Sequence, residues 1–259
     1  LPHQPHNPPQ RYLDLYTDKP GVTEQSVAYY ATITWFDDTV GKLVDYVERK
    51  DLAQDTLFVF VVDNGWQPGT RPFHNSPGQF HHTKRSKRAP FDYGLRTPIL
   101  IRWDGRVRPA THQGLASSVD IVPTLLAAAG LADRAADLPG INLLPSATGK
   151  KPLDPDRPVF GEVYPGDATS LGNPSRDVAY RWVRKARWKL IVPHAQGNKT
   201  PWGNYLDSPA LFDVVGDPDE SNNRIDDPVH ADKAAELRRL LDQWWTPGDD
   251  SAVPKPPVR

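Results

Sequence analysis

Apolar positions recur at helical spacing from Val27 through Tyr30, Ile33, Val40, Leu43, Val44 and Val47, so the pattern predicts one amphipathic helix over 24–49. Thr23, Glu24 and Ser26 supply its capping residues. The run from Thr56 to Val62 is continuously apolar and rich in β-branched and aromatic residues, which predicts a strand buried on both faces of a parallel sheet. A second strand is expected over 97–103. Ser117 or Ser118 then caps a helix over 119–129 that Gly130 closes. Strand and helix alternating in this order indicate an α/β core with mostly parallel pairing.

The rhythm changes after a stretch over 133–158 rich in Gly, Pro and Asp. Short apolar runs over 158–163, 178–183, 188–192 and 211–215, separated by turn residues, predict antiparallel strands. Ala234, Leu237, Leu240, Leu241 and Trp244 share one face of a last helix over 230–245. Domains of about 1–150 and 155–259 are therefore expected. Prolines at 2, 5, 8, 9 and 20 keep the opening 22 residues extended. The segment over 66–89 has no periodicity and reads as a long loop, a kind of segment that is often functional.

Composition narrows the partners. With 31 basic and 32 acidic residues, a net charge of -1 argues against a polycation built to coat nucleic acid. No run is long and apolar enough to span a membrane. The absence of cysteine excludes disulfides and thiolate chemistry within these 259 residues. Methionine is absent even at position 1, so the chain reads as processed or truncated.

Three features could carry chemistry. Asp63-Asn64-Gly65 follows directly on a predicted strand, where sites of open α/β sheets form, and offers oxygen ligands suited to a hard cation. The same tripeptide is also an ordinary turn sequence. The following loop gathers Arg71, Lys84, Arg85, Lys87, Arg88 and Arg96 around the single acid Asp92, an arrangement that suits an anionic substrate or simply a solvated basic loop. At the start, His3 and His6 are held among prolines, and histidine can act as an acid near neutral pH.

These features occur in the order of a known family. Pro2-His3-x-Pro5-His6-x-Pro8-Pro9-x-x-Tyr12-Leu13, Tyr29-Tyr30-Ala31, Val62-Asp63-Asn64-Gly65, Ser86-Lys87-Arg88-Ala89-Pro90-Phe91-Asp92-Tyr93-Gly94-Leu95-Arg96-Thr97-Pro98 and Ser118-Val119-Asp120-Ile121-Val122-Pro123-Thr124-Leu125 together resemble the sulfatases of the alkaline phosphatase superfamily. Trp188-Lys189-Leu190-Ile191 and Leu211-Phe212-Asp213 through Asn223 resemble that family's C-terminal subdomain. The resemblance implies a partial alkaline-phosphatase-like α/β core with a mostly parallel sheet, plus a smaller α+β subdomain with an antiparallel sheet.

It also implies residue roles. Asp63 and Asn64 would ligate a divalent cation, calcium with magnesium as the alternative. Lys87 would contact the sulfate, His3 would protonate the leaving group, and His6 and Lys84 would bind substrate. Sulfatases use a formylglycine nucleophile made within a Cys/Ser-x-Pro-x-Arg motif, and no serine here begins one. The nucleophile and two further aspartate ligands are thus expected in a missing N-terminal part, and the isolated chain is expected to be inactive. The implied partner is a sulfated small molecule or glycan, with neither nucleic acid nor a membrane span. Relatives acting on sulfated glycans are often exported, which points to the periplasm or the cell exterior. A phosphate or phosphonate ester hydrolase of the same superfamily and a non-catalytic anion-binding module are the alternatives. Asn64 argues against the former, whose members tend to place histidine there. Two departures stand out: Leu1 replaces a basic residue common before Pro-His, and Tyr93 replaces a glycine. Asp37 and Asp38 are expected to be structural or solvent-facing inside the first helix.

Overall fold

The computed structural model describes residues 3, 5–65, 85–194 and 202–248, which fall in two compact units. The first holds 5–57 and 103–106. After the prolines, a single turn α1 (Gln10–Leu13) packs on the long helix α2 (Glu24–Arg49). Tyr12 is buried between them, and its hydroxyl donates to Asp38 Oδ2 at 2.8 Å. Thr23 takes the N-cap position of α2, but its hydroxyl bonds the Ser26 hydroxyl at 2.7 Å instead of a backbone amide.

The second unit begins at β1 (Phe58–Val61), which pairs with β2 (Ile99–Arg102) in the register Phe58 to Arg102. Their pairing is antiparallel, whereas mostly parallel pairing was expected for the core. A continuous apolar run suggests parallel pairing only by way of burial on both faces and does not itself fix strand direction. Phe60, Val61 and Val62 are also 38%, 39% and 37% exposed, where burial on both faces was expected, because β2 is the only strand beside β1 among the described residues. Between the two strands lies the short turn α3 (Asp92–Leu95).

Beyond β2 the chain forms α4 (Ile121–Ala128) and α5 (Leu144–Ala147). Ser117 and Asp120 make a capping box, with the Ser117 amide donating to Asp120 Oδ2 at 2.8 Å. A four-stranded antiparallel sheet follows, in the order β3 (Pro158–Val163), β4 (Tyr180–Lys185), β5 (Trp188–Pro193) and β6 (Ala210–Asp213). The last helix is α6 (Ala231–Trp244).

Strand alternation divides this sheet into two packed faces. Val183, Leu190, Val192 and Leu211 meet Leu237 and Leu241 of α6. Val163, Tyr180, Ile191, Ala210 and Phe212 meet Ala89 and Phe91, so the segment before α3 is built into the core on the other face. No helix among the described residues is long and apolar enough to cross a membrane.

Candidate functional site

The chain leaves β1 into the bend that carries Asp63, Asn64 and Gly65. The Gly65 amide donates to the Gly94 carbonyl at 2.8 Å. A Cβ on Gly65 would lie 2.0 Å from the Tyr93 carbonyl oxygen, so the contact requires glycine. Gly94 obeys the same rule on its other side, where a Cβ would lie 2.3 Å from the Ser86 carbonyl oxygen and 2.6 Å from that of Ala89. Ser86 and Ala89 close the turn that carries Lys87, through an Ala89 amide to Ser86 carbonyl bond of 2.8 Å. Three backbone segments are thereby stacked: the Asp63-Asn64 bend, the Tyr93-Gly94 turn and the Lys87 turn. Among the described residues, the side chains of Asp63, Asn64 and Lys87 have no hydrogen bond or ion pair. Lys84 lies outside the described residues.

Tyr93, which departs from the family pattern, has its own anchor. Its hydroxyl donates to Asp219 Oδ1 at 2.6 Å, and burial followed by that bond pushes its pKa up to about 12. The neighbouring Asp92 enters a buried charge cluster. Lys189 of β5, with no exposed surface, places Nζ 2.9 Å from Asp92 Oδ1 and 3.1 Å from Glu220 Oε1. Arg184 of β4 pairs with Asp92 Oδ2 at 2.7 Å, and Glu220 Oε2 accepts the Asp92 amide. Arg85 donates to the Asp219 and Glu220 carbonyls and lies over the Phe91 ring.

Burial pushes the Asp92 carboxyl upward, but Lys189 and Arg184 together outweigh it and hold Asp92 below the usual range. Burial wins at Glu220, aided by the Asp92 charge, and its carboxyl is raised despite Lys189. Sequence reasoning missed this cluster. The available signal was a lysine and a glutamate, Lys189 and Glu220, within stretches otherwise recognised only as subdomain motifs.

In the first unit, the His6 ring packs against Tyr29 of the Tyr29-Tyr30-Ala31 motif, with centroids 5.4 Å apart. Burial, then the neighbouring Tyr30, pushes the Tyr29 hydroxyl above its ordinary value. His3 is exposed. Asp38 is committed to Tyr12, as expected for a structural residue, and Asp37 faces solvent.

The donor chemistry at Asp63 and Asn64 fits a hard cation, since a carboxylate and an amide oxygen are calcium-type ligands. Calcium takes about six to eight oxygens, so these two form part of a coordination shell. No group of three or more His, Cys, Asp or Glu side chains able to hold a metal occurs among the described residues.

Comparison with known proteins gives the family. Residues 1–131 match the family described as sulfatase, and residues 81–246 match the family described as N-sulphoglucosamine sulphohydrolase, C-terminal. Human N-acetylgalactosamine-6-sulfatase is 32% identical over 185 residues, covering 69% of this chain and 34% of that protein. The chain spans between 34% and 43% of the length of the curated relatives it matches. Among solved structures, Ps i-CgsB in complex with k-i-k-neocarrahexaose superposes with a TM-score of 0.67 at 21% identity, over 98% of this chain and 49% of that one. The phosphonate monoester hydrolase SpPMH from Silicibacter pomeroyi has a TM-score of 0.60 at 25% identity, over 84% of this chain and 40% of that one. The ordered motifs, the stacked site segments and the matched families converge: this chain belongs to the sulfatase family.

Proposed function

We propose that this chain furnishes the cation-binding and sulfate-binding portion of an enzyme that hydrolyses sulfate monoesters. The observation that carries the reading is the pair of interlocked glycines, Gly65 and Gly94, which join the bend of Asp63 and Asn64 to the turn of Lys87, three side chains without a hydrogen bond or ion pair among the described residues. Oxygen donors and an ammonium on neighbouring backbone segments suit a tetrahedral oxyanion bound beside a divalent cation.

In this reading Asp63 and Asn64 hold calcium, which when bound offsets negative charge on the sulfate group. Lys87 adds a point charge to the sulfate oxygens, and Lys84 and His6 contribute to substrate binding. His3 delivers a proton to the leaving-group oxygen, which keeps the departing alcohol from leaving as an alkoxide. The nucleophile in this family is a formylglycine hydrate, which would come from polypeptide outside these residues. Sulfated sugars are the favoured substrate class, because the related human enzyme is an N-acetylgalactosamine-6-sulfatase and the superposed Ps i-CgsB binds a neocarrahexaose.

A phosphonate ester is the second reading, supported by the likeness to SpPMH. Asn64 favours the sulfate ester. Parallel assays of the full-length gene product on an aryl sulfate and an aryl phosphonate, with calcium present, separate the two. Preference for the sulfate ester supports the proposal, and preference for the phosphonate overturns it.

A further inference from the structure

Lys189 alternates along β5 with Leu190, which packs on α6, so it lies on the opposite sheet face, where Glu220 from the loop after β6 reaches it. Their charges have no solvent to meet: Lys189 is 0% and Glu220 1% exposed. Buried ion pairs seldom repay their desolvation in stability, so such a cluster calls for another account. Glu220 is moreover held at φ 51, a left-handed conformation unfavourable for a residue with a Cβ. Its loop is fixed from both sides. Asp217 accepts the Ser221 hydroxyl and the Asn222 amide at 2.8 Å each, and the Glu220 amide donates to the Asp217 carbonyl at 2.9 Å.

Everything this clamp grips belongs to one short segment. Glu220 Oε2 takes the Asp92 amide, Lys189 and Arg184 take the two Asp92 oxygens, Asp219 takes the Tyr93 hydroxyl, and the Glu220 carbonyl takes Arg85. That segment runs from Arg85 to Gly94, carries Lys87, and supplies the Gly94 carbonyl on which the Gly65 amide rests.

We propose that Glu220 and Lys189 are positioning residues: the buried clamp sets the register of the Tyr93-Gly94 turn and thereby the placement of both the Asp63-Asn64 bend and Lys87. This deepens the functional reading above and rests on it for the identity of the bound groups. The chain of contact is continuous, from Glu220 to the Asp92 amide, through Tyr93 and Gly94, to Gly65 and Asn64. With both glycines allowing no slack toward the backbone they touch, a shift of the turn is passed on to the bend. The C-terminal sheet would thus hold the site's geometry while contributing no ligand.

The test uses amide hydrogen exchange of the chain in parallel with calcium titration of the full-length gene product. In Glu220→Gln, and in the Lys189→Met/Glu220→Gln pair that removes both charges together, the Gly65 amide should exchange roughly tenfold faster, while Leu190 and Leu211 in the sheet keep their protection. The calcium dissociation constant should rise by a similar factor of roughly ten, and Asp92→Asn should reproduce both effects. Unchanged Gly65 exchange in folded variants overturns the proposal. Loss of protection throughout the sheet in every variant also overturns it, since the clamp would then serve stability alone. If Asp63→Asn leaves calcium binding unchanged, the functional reading fails while the exchange result still decides the mechanical claim.

Discussion

Arg157 grips Asp120 with two parallel bonds, Nη2 to Oδ1 at 2.6 Å and Nη1 to Oδ2 at 2.8 Å. Asp120 has no exposed surface and also accepts the Ser117 and Ile141 amides at 2.8 Å each, so one carboxylate joins the start of α4 to the 140s and to the residue before β3. Removing the cation alone strands that carboxylate. Arg157→Ala is therefore expected to destabilise the fold by about 3–5 kcal/mol, read as a lowered urea midpoint with unchanged slope.

Gly65→Ala should act differently. A methyl group 2.0 Å from the Tyr93 oxygen forces the bend away from the turn, at a cost of roughly 1–3 kcal/mol for overpacking. Its main effect should fall on calcium affinity. Calorimetric titration of the full-length gene product checks this: weaker calcium binding in a protein that still unfolds cooperatively is the expected outcome.

Alkaline titration should expose the Tyr93–Asp219 bond. The Tyr93 hydroxyl is raised from 10.0 to about 12 in the folded chain, so its stabilisation is complete below the unfolded value and is lost as pH rises through the folded one. The urea midpoint should fall between about pH 10 and about pH 12, and Tyr93→Phe should flatten that part of the profile.

The acid limb has two opposing contributions. Asp92 is lowered from 3.8, so its stabilisation is present above that value and disappears as pH falls through the folded pKa. Glu220 is raised from 4.5 and works in the other sense, favouring the fold at low pH and losing that contribution as pH rises through its folded value. Replacing Glu220 with glutamine should leave the loss due to Asp92 below about pH 3.8 and remove the gain that accompanies falling pH above about 4.5. The urea midpoint, followed by circular dichroism, should then no longer rise as pH falls toward 4.5 in the variant.

Much of this architecture was legible before the structure. The 26-residue helix from Glu24 to Arg49 and the strand from Pro158 to Val163 have the predicted bounds, because sustained apolar periodicity in the first and turn residues around the second leave little choice. Ser117 with Asp120, and Gly130 at φ 75, mark the ends of the α4 region as the capping residues indicated. The antiparallel pairing of β1 with β2 was not legible, nor was the short turn from Asp92 to Leu95, whose Asp92 is buried through ion pairs with Arg184 of β4 and Lys189 of β5. For the site, local motifs singled out Asp63, Asn64 and Lys87. They gave no hint that Asp92 and Lys189, 97 positions apart, would form one cluster, since nothing in either local sequence records the other.

The most direct test of the sulfatase reading is steady-state hydrolysis of an aryl sulfate by the full-length gene product with calcium, comparing the native sequence with Lys87→Ala. Turnover by the native protein, with kcat/KM reduced by roughly 10²–10³ in the variant, is the predicted result. Native turnover that is indifferent to Lys87, or no hydrolysis of sulfate esters beside robust hydrolysis of a phosphonate ester, would contradict it.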